Sequence, residues 1–242
     1  MSYQCSQSNG SLSMHDPRII VALDVSTEQD LRELVKKIPN TKCRAKIGKE
    51  LFTSVGPLAI EICHEAGFEV FLDLKFHDIP NTCAKAVRAA ARWGVWMTNV
   101  HCSGGTDMMR AARDILEGEN RRPRLIGVTV LTSLSQKSLQ ELSVSRDLES
   151  QVDHLARLAH TCGLDGIVCS AQETQRLRQS LGGEFCLVTP GIRPRWAASD
   201  DQTRIVTPTD AIADGSDYLV IGRPITAAEC PEHAVARIVD EI

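Results

Sequence analysis

The sequence predicts an α/β fold, a single-domain (β/α)8 (TIM) barrel, on three observations. Eight short apolar runs recur from Arg18 onward, and most of the gaps between them can hold an amphipathic helix. The chain's 242 residues also match the roughly 250 typical of such a barrel. Near-continuous apolar strands alternating with helices specify a parallel sheet covered by helices. A doubly wound open sheet is the alternative. Its usual Gly-x-Gly-x-x-Gly turn after the first strand is absent, the position reading LDVSTEQD.

In order, the expected strands are Ile19–Leu23, Ala45–Ile47, Val70–Leu74, Val95–Val100, Leu125–Leu131, Gly166–Cys169, Cys186–Val188 and Tyr218–Ile221. Leu31, Leu34, Val35 and Ile38 recur at i, i+3, i+4, i+7 and predict a helix after the first strand. Val152, Leu155, Ala156 and Ala159 predict another, and Val235, Ile238, Val239 and Ile242 predict the last. After the third strand Asp78 suits a cap, Pro80 suits a first turn, and Ala84, Val87 and Ala91 follow at helical spacing.

Composition limits the function classes. Apolar residues form 43% of the chain, enough for a sizeable core, and the net charge of -4 argues against a nucleic-acid surface. No stretch approaches the roughly 20 apolar residues of a membrane span. Residues 1–16 are polar and Ser/Gln-rich, without the apolar centre of a signal peptide, so they read as a flexible tail before a barrel domain at 17–242. Nine cysteines are scattered with no C-x-x-C pair. They read as free buried thiols of a reducing, cytoplasmic compartment. No cluster of zinc ligands is present, so no metal is expected.

Functional groups of a barrel gather where its strands end. The expected ends carry Asp24; Lys46, Gly48 and Lys49; Asp73, Lys75 and Asp78; His101; Thr132 and Ser133; Ser170; Arg193; and Gly222 with Arg223. The third strand, FEVFLDLKFHDIPNT from Phe68 to Thr82, is the densest. Asp73 and Lys75, two apart, share a face. A surface ion pair would contribute little. Ionisable groups crowning a core strand are expensive unless paired, and so point to chemistry. Gly222 allows backbone N–H groups to approach an anion, Arg223 adds a forked donor, and Gln202 is a further contact. Together with the loop after the seventh strand they point to phosphate.

The motif D-L-K-F-H-D-I-P-N-T resembles the signature of the orotidine 5'-phosphate decarboxylase family. The resemblance runs from about Arg18 to the C-terminus through V-A-L-D, K-I-G-K-E-L-F, N-V-H-C-S-G-G, V-T-V-L-T-S, V-C-S-A-Q-E, V-T-P-G-I-R-P and V-I-G-R-P-I-T, in that order. It implies cofactor-independent decarboxylation of orotidine 5'-phosphate to UMP by a homodimer. It makes Lys75 the proton donor to C6 of the pyrimidine and puts Asp73 beside the substrate carboxylate. Asp78 and Thr82 cross the dimer interface, Thr82 to the ribose. Lys46 and Asp24 meet ribose hydroxyls, and Lys46 also pairs with the array. Thr132 meets the pyrimidine ring, and Arg193, Gln202, Gly222 and Arg223 hold the phosphate. His77 and His101 match the motifs but take no catalytic role. Two rivals remain at this stage. One is a magnesium-dependent decarboxylase or aldolase acting on sugar phosphates through a similar D-x-K-x-x-D motif. The other is a silent barrel that binds nucleotides, whose expected mark, a broken charge array, is absent.

Overall fold

The computed structural model describes residues 16–197 and 206–242. Gln202 and all of the expected tail except Asp16 lie outside the described residues. Eight parallel strands close into a barrel in sequence order. The first half comprises β1 (Ile19–Ala22), α1 (Glu28–Val35), β2 (Cys43–Gly48), α2 (Lys49–Val55), α3 (Leu58–Glu65), β3 (Val70–Phe76), α4 (Pro80–Arg92), β4 (Met97–His101) and α5 (Gly105–Asp114). The second comprises β5 (Arg124–Val128), α6 (Gln136–Glu141), α7 (Leu148–Thr161), β6 (Gly166–Val168), α8 (Ala171–Leu181), β7 (Cys186–Pro190), α9 (Pro208–Ala213), β8 (Tyr218–Ile221), α10 (Arg223–Thr226) and α11 (Pro231–Val239).

Side chains alternate across each strand, and this divides the apolar residues into two layers. Ile20, Ala22, Phe71, Met97, Ile126, Val188 and Val220 pack together inside the barrel. Ile19, Val21, Ile47, Val70, Leu72, Leu219 and Ile221 pack outward with helix residues such as Leu31, Ile60 and Val235. Each fully buried side chain of this size stabilises by about 1.5–3 kcal/mol. The exposed Arg32–Glu28 pair on α1 is screened by solvent and contributes little, so the two apolar layers hold the barrel.

All eight expected strands form; β8 spans the expected residues and the others have shifted ends. β5 stops at Val128, three residues before the expected Leu131. Helical spacing also overreaches twice. Ile38 lies beyond α1 but is buried against the same core as Leu31. Ile242 lies beyond α11 and is 37% exposed. At Ile38 the apolar period reports burial just past a helix end, whereas at Ile242 it reports neither helix nor burial. Asp78 does not cap α4. The capping position is Ile79, and the Asp78 carboxylate accepts the Ile79 amide at 2.6 Å. Pro80 opens the helix as expected.

The barrel's N-terminal end is plugged by charge and aromatic surface. The Arg44 guanidinium is buried, stacks 4.0 Å over the Trp96 ring, and pairs with Asp16 and Glu69 at 2.7 Å each. Tyr218 donates to Asp16 at 2.8 Å, and burial pushes its phenol pKa up.

Where β6 meets β7 the strands leave no room. A Cβ at Gly166 would collide with the Cys186 carbonyl oxygen, a backbone atom that cannot step aside. Gly166→Ala is expected to lower unfolding free energy by roughly 1–3 kcal/mol, read as a reduced urea midpoint at constant m-value.

Candidate active site

Strand parity places the charged groups. Phe71 faces the barrel interior, so Asp73 and Lys75, each two residues further, turn the same way above it. Lys46 sits beside Phe71 in the β2–β3 register. At the C-terminal mouth the Lys75 ammonium donates to Asp73 Oδ1 at 2.6 Å, and Lys46 Nζ lies 3.3 Å from Asp73 Oδ2. Lys46 also reaches toward Asp24 Oδ1 at 3.9 Å. A Cβ at Gly48 would stand 3.3 Å from Lys46 Nζ. The glycine therefore leaves that ammonium its place.

The strand is not regular here. The β3–β4 register shifts between Leu72 and Phe76, and Lys75 has φ 52°, in the left-handed region. A lysine gains nothing from that conformation, which is uncommon for residues other than glycine, asparagine and aspartate. Asn99 on β4 holds it. Its side-chain oxygen accepts the Lys75 backbone amide at 2.7 Å, and its side-chain nitrogen donates to Asp73 Oδ1 at 2.7 Å. Asn99 is fully buried. Sequence reasoning passed over it because it lies within an apolar run. The available signal was a carboxamide in a buried strand, a group that needs partners inside.

A cavity of about 390 Å³ opens over these groups, within the usual range for small ligands. Its rim carries Asp24, Thr132, Arg193, Gly222 and Arg223, and its floor Asp73, Lys46 and Lys75. Four basic and two acidic residues line it, a balance that suits an anion. Arg193 comes from the loop after β7, and Arg223 is the first residue of α10, two residues past the end of β8. The Arg193 backbone N–H donates a hydrogen bond to the Val206 carbonyl at 3.1 Å. The structure thus gathers Lys46, Asp73, Lys75, Asp24, Thr132, Arg193, Gly222 and Arg223 at one mouth.

Asp78 and Thr82 do not line the cavity. Both are exposed, on the turn into α4 and its first residues, with Ile79 between them 67% exposed. Ser170 caps α8 in a capping box with Glu173, a structural role. His101 stands 5.5 Å from His77, ring centre to ring centre. Burial first, then the neighbouring His77, Lys49 and Lys75 charges, hold its pKa below the usual histidine value. Among the described residues no group of three histidine, cysteine or acidic side chains is arranged to hold a metal ion.

Fold and site together define a (β/α)8-barrel protein with a lysine–aspartate charge array at its C-terminal mouth. Residues 17–238 match the model of the orotidine 5'-phosphate decarboxylase / HUMPS family, and the chain belongs to that family. It is 58% identical over 226 residues to the orotidine 5'-phosphate decarboxylase of Hahella chejuensis, covering 93% of this chain and 97% of that one. The enzyme of the same name from Saccharophagus degradans is 55% identical over 231 residues, covering 96% and 97%. The crystal structure of orotidine 5'-phosphate decarboxylase from Lactobacillus acidophilus superposes with a TM-score of 0.83 at 38% identity, covering 93% of this chain and 99% of that one.

Among the described cysteines only Cys169 lines the cavity. Burial pushes Cys43, Cys63, Cys102, Cys169 and Cys186 up to about 12, and Cys83 up to about 11. Among the described cysteines only Cys230 is exposed. Labelling of native protein with a thiol reagent at pH 8, followed by peptide mapping, is expected to modify Cys230 quickly. The six raised thiols should react only after denaturant is added.

Proposed function

We propose that this chain converts orotidine 5'-phosphate to UMP and CO2 in de novo pyrimidine synthesis, as a cytoplasmic homodimer without metal or cofactor. The observation that carries the reading is the Lys75 ammonium, 2.6 Å from Asp73 Oδ1, on the floor of a cavity rimmed by two arginines. The names of the relatives support the same reaction, and the free buried thiols support a reducing compartment.

The reaction breaks the bond between C6 and its carboxylate. The electron pair stays on C6 in an sp2 orbital that the ring cannot delocalise. Most decarboxylations use a cofactor as electron sink; here a fixed ammonium takes that part. Lys75 stabilises the developing charge and then delivers its proton to C6. Asp73 lies beside the substrate carboxylate, where repulsion eases as CO2 departs. Asp24 and Lys46 meet the ribose hydroxyls, and Thr132 meets the pyrimidine. Arg193, Gln202, Gly222 and Arg223 take the phosphate, whose binding energy is used to lower a barrier at a remote carbon. Asp78 and Thr82 are assigned to the neighbouring subunit's site, and their exposure outside this chain's own cavity is compatible with that.

The donor set weighs against the magnesium-dependent alternative. Asp73 Oδ1 already accepts Lys75 and Asn99, and its Oδ2 faces Lys46. A cation there would have to displace an ammonium group. Purified protein in a chelating buffer is expected to consume orotidine 5'-phosphate, with loss of orotate absorbance and UMP as product. Lys75→Ala should abolish turnover while its circular dichroism stays native, and near-normal activity in that variant would sink the assignment. Activity on a sugar phosphate alone, once magnesium is restored, would move the chain to the other branch.

The phosphate assignment has its own test. Arg223→Ala is expected to lose about 10–100-fold in kcat/KM on orotidine 5'-phosphate, the equivalent of one charged hydrogen bond. On orotidine, which lacks the phosphate, the same substitution should change little. Equal losses on both substrates would show that Arg223 serves the fold and not the phosphate.

A further inference from the structure

We propose that Asn99 is a positioning residue for this reaction: one buried carboxamide sets both the left-handed backbone of Lys75 and the carboxylate of Asp73. The inference rests on the decarboxylase reading for its kinetic consequence and on geometry alone for the contact itself.

Both ends of the amide are used, and only one orientation satisfies them. The oxygen must face the Lys75 N–H, a donor, and the nitrogen must face the Asp73 carboxylate, an acceptor. Asn99 has no exposed surface, so no water replaces either bond without rearrangement. The two partners are the groups that carry opposite charge at the mouth, joined to each other at 2.6 Å. At Lys75 the backbone is left-handed, and the β3–β4 register is interrupted between Leu72 and Phe76. The regular ladder that would otherwise hold this amide is therefore broken, and the Asn99 side chain stands in for it. Releasing Lys75 lets its backbone relax toward negative φ, which swings the ammonium away from Asp73. A displacement of about 1 Å at a reacting group is worth on the order of 100-fold in rate.

On the proposed reading Arg193 and Arg223 hold the phosphate, Thr132 the pyrimidine and Asp24 with Lys46 the ribose, all from the cavity lining, so a change confined to Lys75 and Asp73 separates rate from binding. Asn99→Asp keeps the shape but puts a second carboxylate against Asp73. At neutral pH its kcat is expected to fall about 100-fold, with UMP affinity unchanged. As pH falls, the introduced carboxylate takes up a proton. Its carbonyl then accepts the Lys75 amide and its hydroxyl donates to Asp73, restoring both bonds. The variant's kcat relative to wild type should therefore rise toward acid pH. A purely structural defect would not give that recovery. Wild-type kcat in Asn99→Asp, a parallel loss of kcat and UMP affinity, or a deficit constant with pH would each overturn the proposal.

If Asn99→Asp fails to fold, or if wild-type protein leaves orotidine 5'-phosphate untouched, the Lys75 amide decides. The second result ends the proposed function without touching the contact. Hydrogen exchange of that amide in wild type should be slow, as for the central amides of β3, and rapid exchange there would overturn the proposal. In Asn99→Ala the loss of protection should be confined to the segment from Asp73 to Phe76.

Discussion

The Asp73 carboxylate is the constraint on which the mouth of the barrel depends. Two ammonium groups and one carboxamide converge on its two oxygens, at 2.6, 3.3 and 2.7 Å. A half-buried charge pair of this kind gains roughly 4 kcal/mol at 4 Å with an effective dielectric near 20. Removing each ion from water costs several kcal/mol in return. The array therefore adds little net stability. Its value lies in fixing charge at defined points over a cavity, and everything nearby serves that end. The closed barrel makes the positions rigid, strand parity aims them inward, and Gly48 leaves Lys46 its space.

Within one chain the floor carries Lys46, Lys75 and Asp73, an excess of one positive charge. On the proposed reading this excess meets a substrate carboxylate first and a carbanion afterwards. A neutral floor would attract the substrate less, and a floor without Asp73 would stabilise the starting carboxylate as well as the product of bond breaking. Interactions that favour both states equally do not accelerate the step. On that reading Asp73 would make the field selective, because it would oppose the carboxylate while holding Lys75 at 2.6 Å beside it. On the proposed reading the same carboxylate would act on substrate and catalyst at once, and its orientation, fixed by Asn99 and Lys75, would matter as much as its charge.

The barrel was legible in the chain because its two signals are strong and repeated. Short apolar runs such as Tyr218–Ile221 appear as strands at the same residues, and the alternation of strands and helices closes the sheet in order. Ends were less legible. The run Leu125–Leu131 is apolar throughout most of its length, yet β5 stops at Val128, because hydrophobicity measures burial and not pairing. The site was legible where charges interrupt apolar strands, as at Asp73, Lys75 and Lys46. It was illegible at Asn99, a neutral polar residue whose partners are 24 and 26 positions away in the chain. A two-residue period predicts that Asp73 and Lys75 share a face, and they do. What it misses is that Lys75 reaches that face through a left-handed residue and a register shift.

Both ends of the barrel bury charge, but they resolve it differently. At the N-terminal end Arg44 is 5% exposed and is answered in full by Asp16, Glu69, the Pro17 carbonyl and the Trp96 ring. The cluster closes the barrel interior as a plug. At the other end six charged residues line an open cavity. Lys75 is about a quarter exposed, and Arg193 and Arg223 line a cavity that is open among the described residues. Opposite charges at one end satisfy each other; at the other they remain partly unsatisfied and aimed at a common space. That asymmetry places stability at one end and chemistry at the other. It also explains why strain is tolerated at Lys75, where a rigid barrel can hold an unfavourable backbone for the sake of the ammonium it presents.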